Sequence, residues 1–303
     1  MATRAALAPA KVNLALHLTG LRDDGYHLLD SLVVFADVGD TVTVTPAETL
    51  SLTVGGSMAA CVPTDGANLV LKAAHHLRSL RGVTAGAAIH LDKHLPHGGG
   101  IGGGSSDAAA TIRLLAHLWD VPALNETEAL PLGADIPVCL MAPAPTRMQG
   151  IGEVLTPAPA LPPGWLVLVN PGIHVPTAAV FKKHDFLYDF SPLALDPFDS
   201  FDQPFTPDGF QTWLLGQRND LTKVVAEDYF APVISTILTR LRETPGCLDT
   251  DMSGSGSTCW AWFAREAEAR AAAANFADHP DWWVVAARVL GPGDQLLREN
   301  HSA

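Results

Sequence analysis

The sequence predicts a two-domain chain of the α+β class, and three observations carry that expectation. The first is size and composition: 303 residues, 48% of them hydrophobic and 17% charged, are too apolar for a disordered chain and long enough for roughly two domains, each with its own core. The second is punctuation. Thr156 to Gly164 holds Pro157, Pro159, Pro162 and Pro163 just ahead of a strand-like Trp165–Val169, which places a boundary between domains 1–156 and 157–303. The third is that strand and helix periods recur on both sides of that boundary.

The elements follow in order. Lys11 to Leu18 reads as extended, Gly20 to Gly25 as a turn, and Leu28 to Thr45 as strand, because Val42 and Val44 alternate with Thr41, Thr43 and Thr45. Asn68 to Arg81 reads as a helix from the spacing of Leu69, Ala73, Leu77 and Leu80, and Ala87 to Leu91 as a short strand. A glycine loop follows, Pro96-His97-Gly98-Gly99-Gly100-Ile101-Gly102-Gly103-Gly104-Ser105-Ser106-Asp107, opening onto a helix from Ala108 to Trp119. Gly133-Ala134-Asp135-Ile136-Pro137 is a second helix-start candidate, since Pro137 suits a first turn; the conformation of Val138 to Met141 stays open. Beyond the boundary, His184 to Phe210 mixes Asp, Phe and Pro without a period and is expected to be a surface excursion or lid rather than core. Helices are expected at Leu221–Tyr229, Val233–Arg242 and Glu266–Phe276, and strands at Thr258–Phe263 and, last, Trp282–Ala286.

A formal charge of -13 argues against a nucleic acid or an anionic membrane as partner. It does not exclude a small anion, which needs only local positive potential. Cys61, Cys139, Cys247 and Cys259 share no C-x-x-C spacing and are expected as buried free thiols. With no secretory h-region and no apolar run of about 18 residues, the expected address is the cytoplasm.

Six glycines in seven positions let backbone amides turn inward without a Cβ blocking close approach. With a helix N-terminus and the hydroxyls of Ser105 and Ser106, the loop forms a cradle of polyphosphate size; the alternative is a flexible linker. No lysine follows Gly103 or Gly104, which excludes a Walker A loop. Gly98, Gly100 and Gly103 satisfy the dinucleotide fingerprint, but Asp92 to His97 separate them from the strand and Asp120 ends a helix where a strand-end acid is needed.

The loop resembles the phosphate loop of the GHMP small-molecule kinases. The likeness runs from about Pro9 to Phe263 and includes Ala8 to Leu14, Asp24-Gly25-Tyr26-His27, Leu132 to Val138, and Met252 to Ser257. The loop alone would equally fit homoserine or mevalonate kinase; the D-G-Y-H and L-G-A-D-I-P segments narrow the match. The resemblance implies an N-terminal domain like domain 2 of ribosomal protein S5 and a ferredoxin-like C-terminal domain, with ATP bound between them and Mg²⁺ held chiefly by phosphates and water rather than by a protein cage. It implies transfer to the 2-hydroxyl of 4-diphosphocytidyl-2-C-methyl-D-erythritol, on the non-mevalonate route to isoprenoids; a monomer or weak homodimer is expected, with the oligomeric state left open by the sequence.

The resemblance also assigns residues. Asp135 matches the catalytic aspartate and Lys11 the lysine beside it, although alone Asp135 reads as a helix cap and Lys11 as a solvated strand charge. Pro96, Gly98, Gly99, Gly100, Ile101, Gly102, Gly103, Gly104, Ser105 and Ser106 match the ATP loop, and Asn68 and Lys93 the adenine and ribose side. Asn13 is expected to position the acceptor. Tyr26, His27 and Phe181 are expected around the cytosine with Thr177 nearby; core packing and a satisfied turn histidine are the plain readings of Phe181 and His27. The segment from Trp119 to Leu132 is short for the family. A dead, ligand-sensing relative is disfavoured because Lys11, Asp135 and the full loop are all retained.

Overall fold

Two long strands organise the first half, and the break between them is chemical. β1 (Arg4–Leu21) and β2 (His27–Ala47) pair antiparallel across a turn in which Gly25 takes φ +86° and Asp24 Oδ1 accepts from the Tyr26 amide. The computed structural model describes residues 3–60, 62–190, 205–227 and 230–299. The β1–β2 register shifts between Pro9 and Ala10 and again between Asn13 and Ala15, so irregularities bracket Lys11 to Asn13 and re-aim that short stretch.

β3 (Leu50–Gly55) runs parallel to β4 (Gly86–Asp92), with α1 (Leu69–Leu80) as the crossover. β4 pairs with the far half of β2, while β5 (Thr146–Gly150) pairs with its near half and with β6 (Val154–Pro157). α1 and α2 (Gly103–Trp119) cover this sheet, burying Val70, Leu77, Ile112 and Leu115 against Val42, Val44 and Ile89. After α2, Asn125 and Glu128 form a capping box on the short α3 (Glu126–Ala129), and α4 (Ile136–Leu140) starts with Pro137 in its first turn. Val138 to Leu140, open in the sequence, are helical.

The second sheet has strand order β10-β7-β9-β8, all antiparallel: β7 (Trp165–Asn170), β8 (Cys247–Met252), β9 (Cys259–Phe263) and β10 (Trp283–Arg288). With it go α5 (Thr177–Leu187), α6 (Pro207–Leu215), α7 (Asp220–Ala226), α8 (Val233–Arg242) and α9 (Glu266–Ala274). α8 shows why such segments fold: Ile234, Ile237, Leu238 and Leu241 fall on one stripe and are buried.

Several expectations change. α2 starts at Gly103, five residues before the expected Ala108, so Ser105 to Asp107 lie within the helix rather than ahead of it; Gly102 is the cap, with no side-chain cap bond. The last strand is not β10 but β11 (Leu297–Glu299), which returns to pair with β1, so the tail belongs to the first sheet and crosses the 156/157 division. The excursion from His184 to Phe210 is in part outside the described residues, but its C-terminal end is core: Phe205 and Phe210 pack with Trp213 and Trp262, where the Asp-rich composition masked the aromatic spacing. Cys139 and Cys259 are buried free thiols and Cys247 is half-buried; Cys61 lies outside the described residues. Among the described residues no helix is long and apolar enough to cross a membrane.

Candidate active site

The glycine loop joins β4 to α2 and is clamped on both sides, which sets aside the flexible-linker alternative. Its carbonyls are used by the protein: Gly99 O accepts from the Thr258 amide at 3.0 Å, Gly100 O from Ser253 Oγ at 2.9 Å, and Ile101 O from the Lys11 amide at 3.0 Å. The amides of residues 98–105 donate to no group among the described residues. Gly98, Gly100 and Gly102 take φ of +61°, +75° and +62°, the left-handed region that a Cβ disfavours. Carbonyls spent within the protein, amides without a partner among the described residues, and the positive end of α2 together suit an anion.

The loop is one wall of a cleft of about 880 Å³. Facing it is a buried lysine. Lys11 is 3% exposed; its Nζ donates to Asn13 Oδ1 at 2.9 Å and lies 3.2 Å from Asp135 Oδ2. Asn13 is fixed in turn, since Nδ2 donates to Ser31 Oγ at 2.8 Å and its amide to Ser253 Oγ at 3.1 Å, a bond reaching across to the second domain. Asp135 occupies the N-terminal cap position of α4, yet its carboxylate makes no capping bond and lines the cleft. The carboxylate is therefore not spent on capping the helix. A carboxylate and an ammonium held together beside free amide donors can take a proton from a hydroxyl and stabilise negative charge next to it.

Further along the cleft, α5 and the β1–β2 turn approach each other. Tyr26 is 60% exposed at the mouth, and the His27 and Phe181 rings sit 4.6 Å apart, tilted by 37°. His27 Nε2 lies 2.7 Å from Asp185 Oδ1, and Thr177 Oγ1 lies 2.8 Å from Ser255 Oγ. The site thus draws on both domains.

The family model described as "GHMP kinases N terminal domain" matches residues 68–142, and the one described as "GHMP kinases C terminal" matches 213–281. A 4-diphosphocytidyl-2-C-methyl-D-erythritol kinase of Jannaschia sp. (strain CCS1) is 54% identical over 289 residues, covering 95% of this chain and 98% of its own. The chain belongs to the 4-diphosphocytidyl-2-C-methyl-D-erythritol kinase family. A relative of the same name from Paramagnetospirillum magneticum is 52% identical over 93% of this chain and 97% of its own. A crystal structure titled 4-(cytidine 5'-diphospho)-2C-methyl-D-erythritol kinase superposes with a TM-score of 0.73 at 30% identity, covering 95% of this chain and 99% of that one. A homoserine kinase from Cytophaga hutchinsonii, 16% identical with a TM-score of 0.61 and covering 98% of this chain and 96% of its own, shares the fold. The chain is accordingly a GHMP kinase of two α+β domains.

In this kinase, several residues expected at the nucleotide make contacts within the protein around the loop. Lys93 is buried, absent from the cleft lining, and held between Asp40 and Asp107, with Asp107 Oδ2 at 2.7 Å. Asn68 caps α1, accepting from the Val70 amide and donating to Pro63 O; the neighbouring Leu69, not Asn68, lines the cleft. Ser106 latches the loop to β1 by donating to Pro9 O at 2.7 Å, leaving Ser105 as the cleft-lining hydroxyl. Ile101 is a buried anchor, and Pro96 is likewise not part of the lining. A motif match does not say on which side of the backbone a side chain emerges.

Three supports escaped the sequence reading. Ser253 joins the loop to Asn13, and Asp40 accepts from Lys93 and from the amides of His94 and Leu95. Arg113 is the third: its guanidinium donates to Cys139 O at 2.6 Å and Ala142 O at 3.2 Å, tying the end of α4 to α2, and burial pushes its pKa down to about 10. Only contacts distant in sequence reveal them.

Gly100→Ala is expected to damage both fold and binding. A Cβ there would stand 2.1 Å from Ser253 O on a backbone with φ +75°, and roughly 2–4 kcal/mol of destabilisation should follow. Gly82→Ala is the control, with φ +63° but nothing within 4 Å, so it carries strain without collision. Thermal melts compare the two, and equal losses would refute the close approach.

A second expectation concerns pH. Burial raises the Asp107 pKa to about 8 against the lowering effect of Lys93, and Asp107 Oδ1 has no hydrogen-bond partner among the described residues. The folded chain thus holds a proton that the unfolded chain releases near pH 4, and stability should fall as pH climbs from roughly 4 through 8. Asp107→Asn should flatten that slope in melting temperatures taken across this window. Parallel slopes would acquit Asp107.

Proposed function

We propose that the chain transfers the γ-phosphoryl group of ATP to the 2-hydroxyl of 4-diphosphocytidyl-2-C-methyl-D-erythritol. The observation that carries this reading is the Lys11–Asp135 pair lining the same cleft as the free amides of the glycine loop. The loop amides and the α2 N-terminus would cradle the triphosphate of ATP, and Asn13 with Lys11 would hold the acceptor hydroxyl in line. The hydroxyl oxygen forms its bond to the γ-phosphorus as the bond from that phosphorus to the β–γ bridging oxygen breaks, releasing ADP. The hydroxyl proton passes to the Asp135 carboxylate. Lys11 lowers the cost of negative charge on the attacking oxygen.

Magnesium would come with ATP, and within the glycine loop the Ser105 hydroxyl is the cleft-lining oxygen that could hold it beside the phosphates. When bound it would supply positive charge to the β and γ oxygens. Tyr26, His27 and Phe181 offer the aromatic surface a pyrimidine needs, and Thr177, beside Ser255, lines the same cleft. The same proposal places the enzyme in the cytoplasm as a monomer or weak homodimer.

The test is ³¹P NMR of ATP, Mg²⁺ and the diphosphocytidyl acceptor with purified protein. A new phosphomonoester resonance on the acceptor is expected. Phosphorylation of homoserine or mevalonate in its place, with no competition by CMP, would move the chain to another branch of the GHMP kinases.

A further inference from the structure

One face of α5 forms the second domain's share of the cleft wall. Ala178, Phe181, Lys182 and Asp185 all line it, at positions i, i+3, i+4 and i+7 of the helix. Their charges are not balanced alike. Asp185 is engaged by His27, and on the first domain Lys11 is matched by Asp135. Lys182 alone among the lysines and arginines of the lining has no ion pair and no hydrogen bond with any described residue. Its neighbour Lys183 is spent elsewhere, with its ammonium over the Phe186 ring at 5.4 Å.

We propose that Lys182 binds the diphosphate of the cytidylyl acceptor and so sets its affinity. This rests on the reading above that the acceptor is a cytidine diphosphate ester. On that reading Phe181 carries the pyrimidine, and the charged groups of the same molecule begin one sugar away from the base. A lysine at the next residue of the same wall reaches that distance on its four-carbon stem. The chain's overall charge of -13 repels a diphosphate, which makes an uncommitted cation in the cleft more consequential than on an open surface. Hydrogen bonds to a charged partner contribute enough for about a tenfold change in affinity at a solvent-accessible site.

The test uses the full chain, with CDP and cytidine as calorimetric probes and steady-state kinetics alongside. Lys182→Met should weaken CDP binding about tenfold and leave cytidine binding unchanged, because only CDP presents the phosphates. The KM for the acceptor should rise by a similar factor, with kcat and the KM for ATP unaltered. Lys182→Arg should retain most of the affinity. Lys183→Met removes the same charge from the same helix and should change none of these values, which separates a local contact from net charge or helix stability.

Unchanged CDP affinity in Lys182→Met overturns the inference. So does a rise in the KM for ATP alone, which would place the lysine at the triphosphate. If the wild-type chain binds neither CDP nor cytidine, the reading of the acceptor fails, and this inference falls with it.

Discussion

Asp135→Asn keeps the fold and loses turnover by about 10³-fold, since general-base assistance contributes about 10²–10⁴. The amide is isosteric with the carboxylate but cannot accept the hydroxyl proton. The structure indicates why the fold survives. The Asp135 side chain is 38% exposed, makes no capping bond to α4, and its ion pair is with Lys11, which keeps Asn13 Oδ1 as an acceptor. Melting temperature should therefore stay close to that of the wild type while kcat collapses. The KM for ATP should hold, because the free loop amides and the loop carbonyls that accept from Thr258, Ser253 and Lys11 are untouched. Turnover within tenfold of the wild type would mean that Asp135 only orients the hydroxyl in a loose transition state.

Lys11→Met is expected to cost both turnover and stability, and the two losses have separate origins. The methionine matches the length of the lysine stem, which packs under Gly102, where a Cβ would stand 3.1 Å from Lys11 Cβ. What disappears is the ammonium between Asn13 Oδ1 and Asp135 Oδ2. Asn13 is 1% exposed, and weakening its satisfaction should destabilise the chain by about 1–3 kcal/mol. The loss of positive charge beside the attacking oxygen should lower kcat by about 10²–10³. Stopped-assay kinetics and thermal melts on the same preparation measure the two. A variant that is destabilised but turns over normally would leave Lys11 with a structural role only.

The parts of the fold readable in the sequence are those governed by local rules. Val42 and Val44 alternating with threonines announce β2, and the apolar stripe of α8 announces itself from Ile234 to Leu241. Six glycines before a helix can be read as an anion cradle without knowing the fold, because the requirement is for small residues and free amides. The return of β11 to β1 could not be read in the same way, since three residues near the end carry no local signal of a partner more than 290 positions away. Phe205 and Phe210 were hidden for a related reason: their acidic neighbours dominate the local composition, while their burial depends on Trp213 and Trp262.

The candidate site divides along the same line. Lys93 and Asn68 are held by contacts that their own neighbours in sequence do not announce or that serve the helix: one is committed to Asp40 and Asp107, the other to the start of α1. Lys182 showed the reverse, being an ordinary helix lysine in sequence and an unpaired cleft cation in space.

What the sequence determined by itself was the chemistry on offer: a glycine cradle, a lysine, an aspartate before Ile-Pro, and aromatic residues at a turn and on a helix. These are properties of residue type and short spacing, and they survive without coordinates. What only the tertiary structure decided was direction. The irregular β1–β2 register turned Lys11 inward, the uncapped start of α4 left the Asp135 carboxylate free to meet it, and Ser253 drew the second domain onto the loop. Local sequence fixes which groups can react, but whether two oxygens and an ammonium point at one another depends on strand register and on packing between residues hundreds of positions apart.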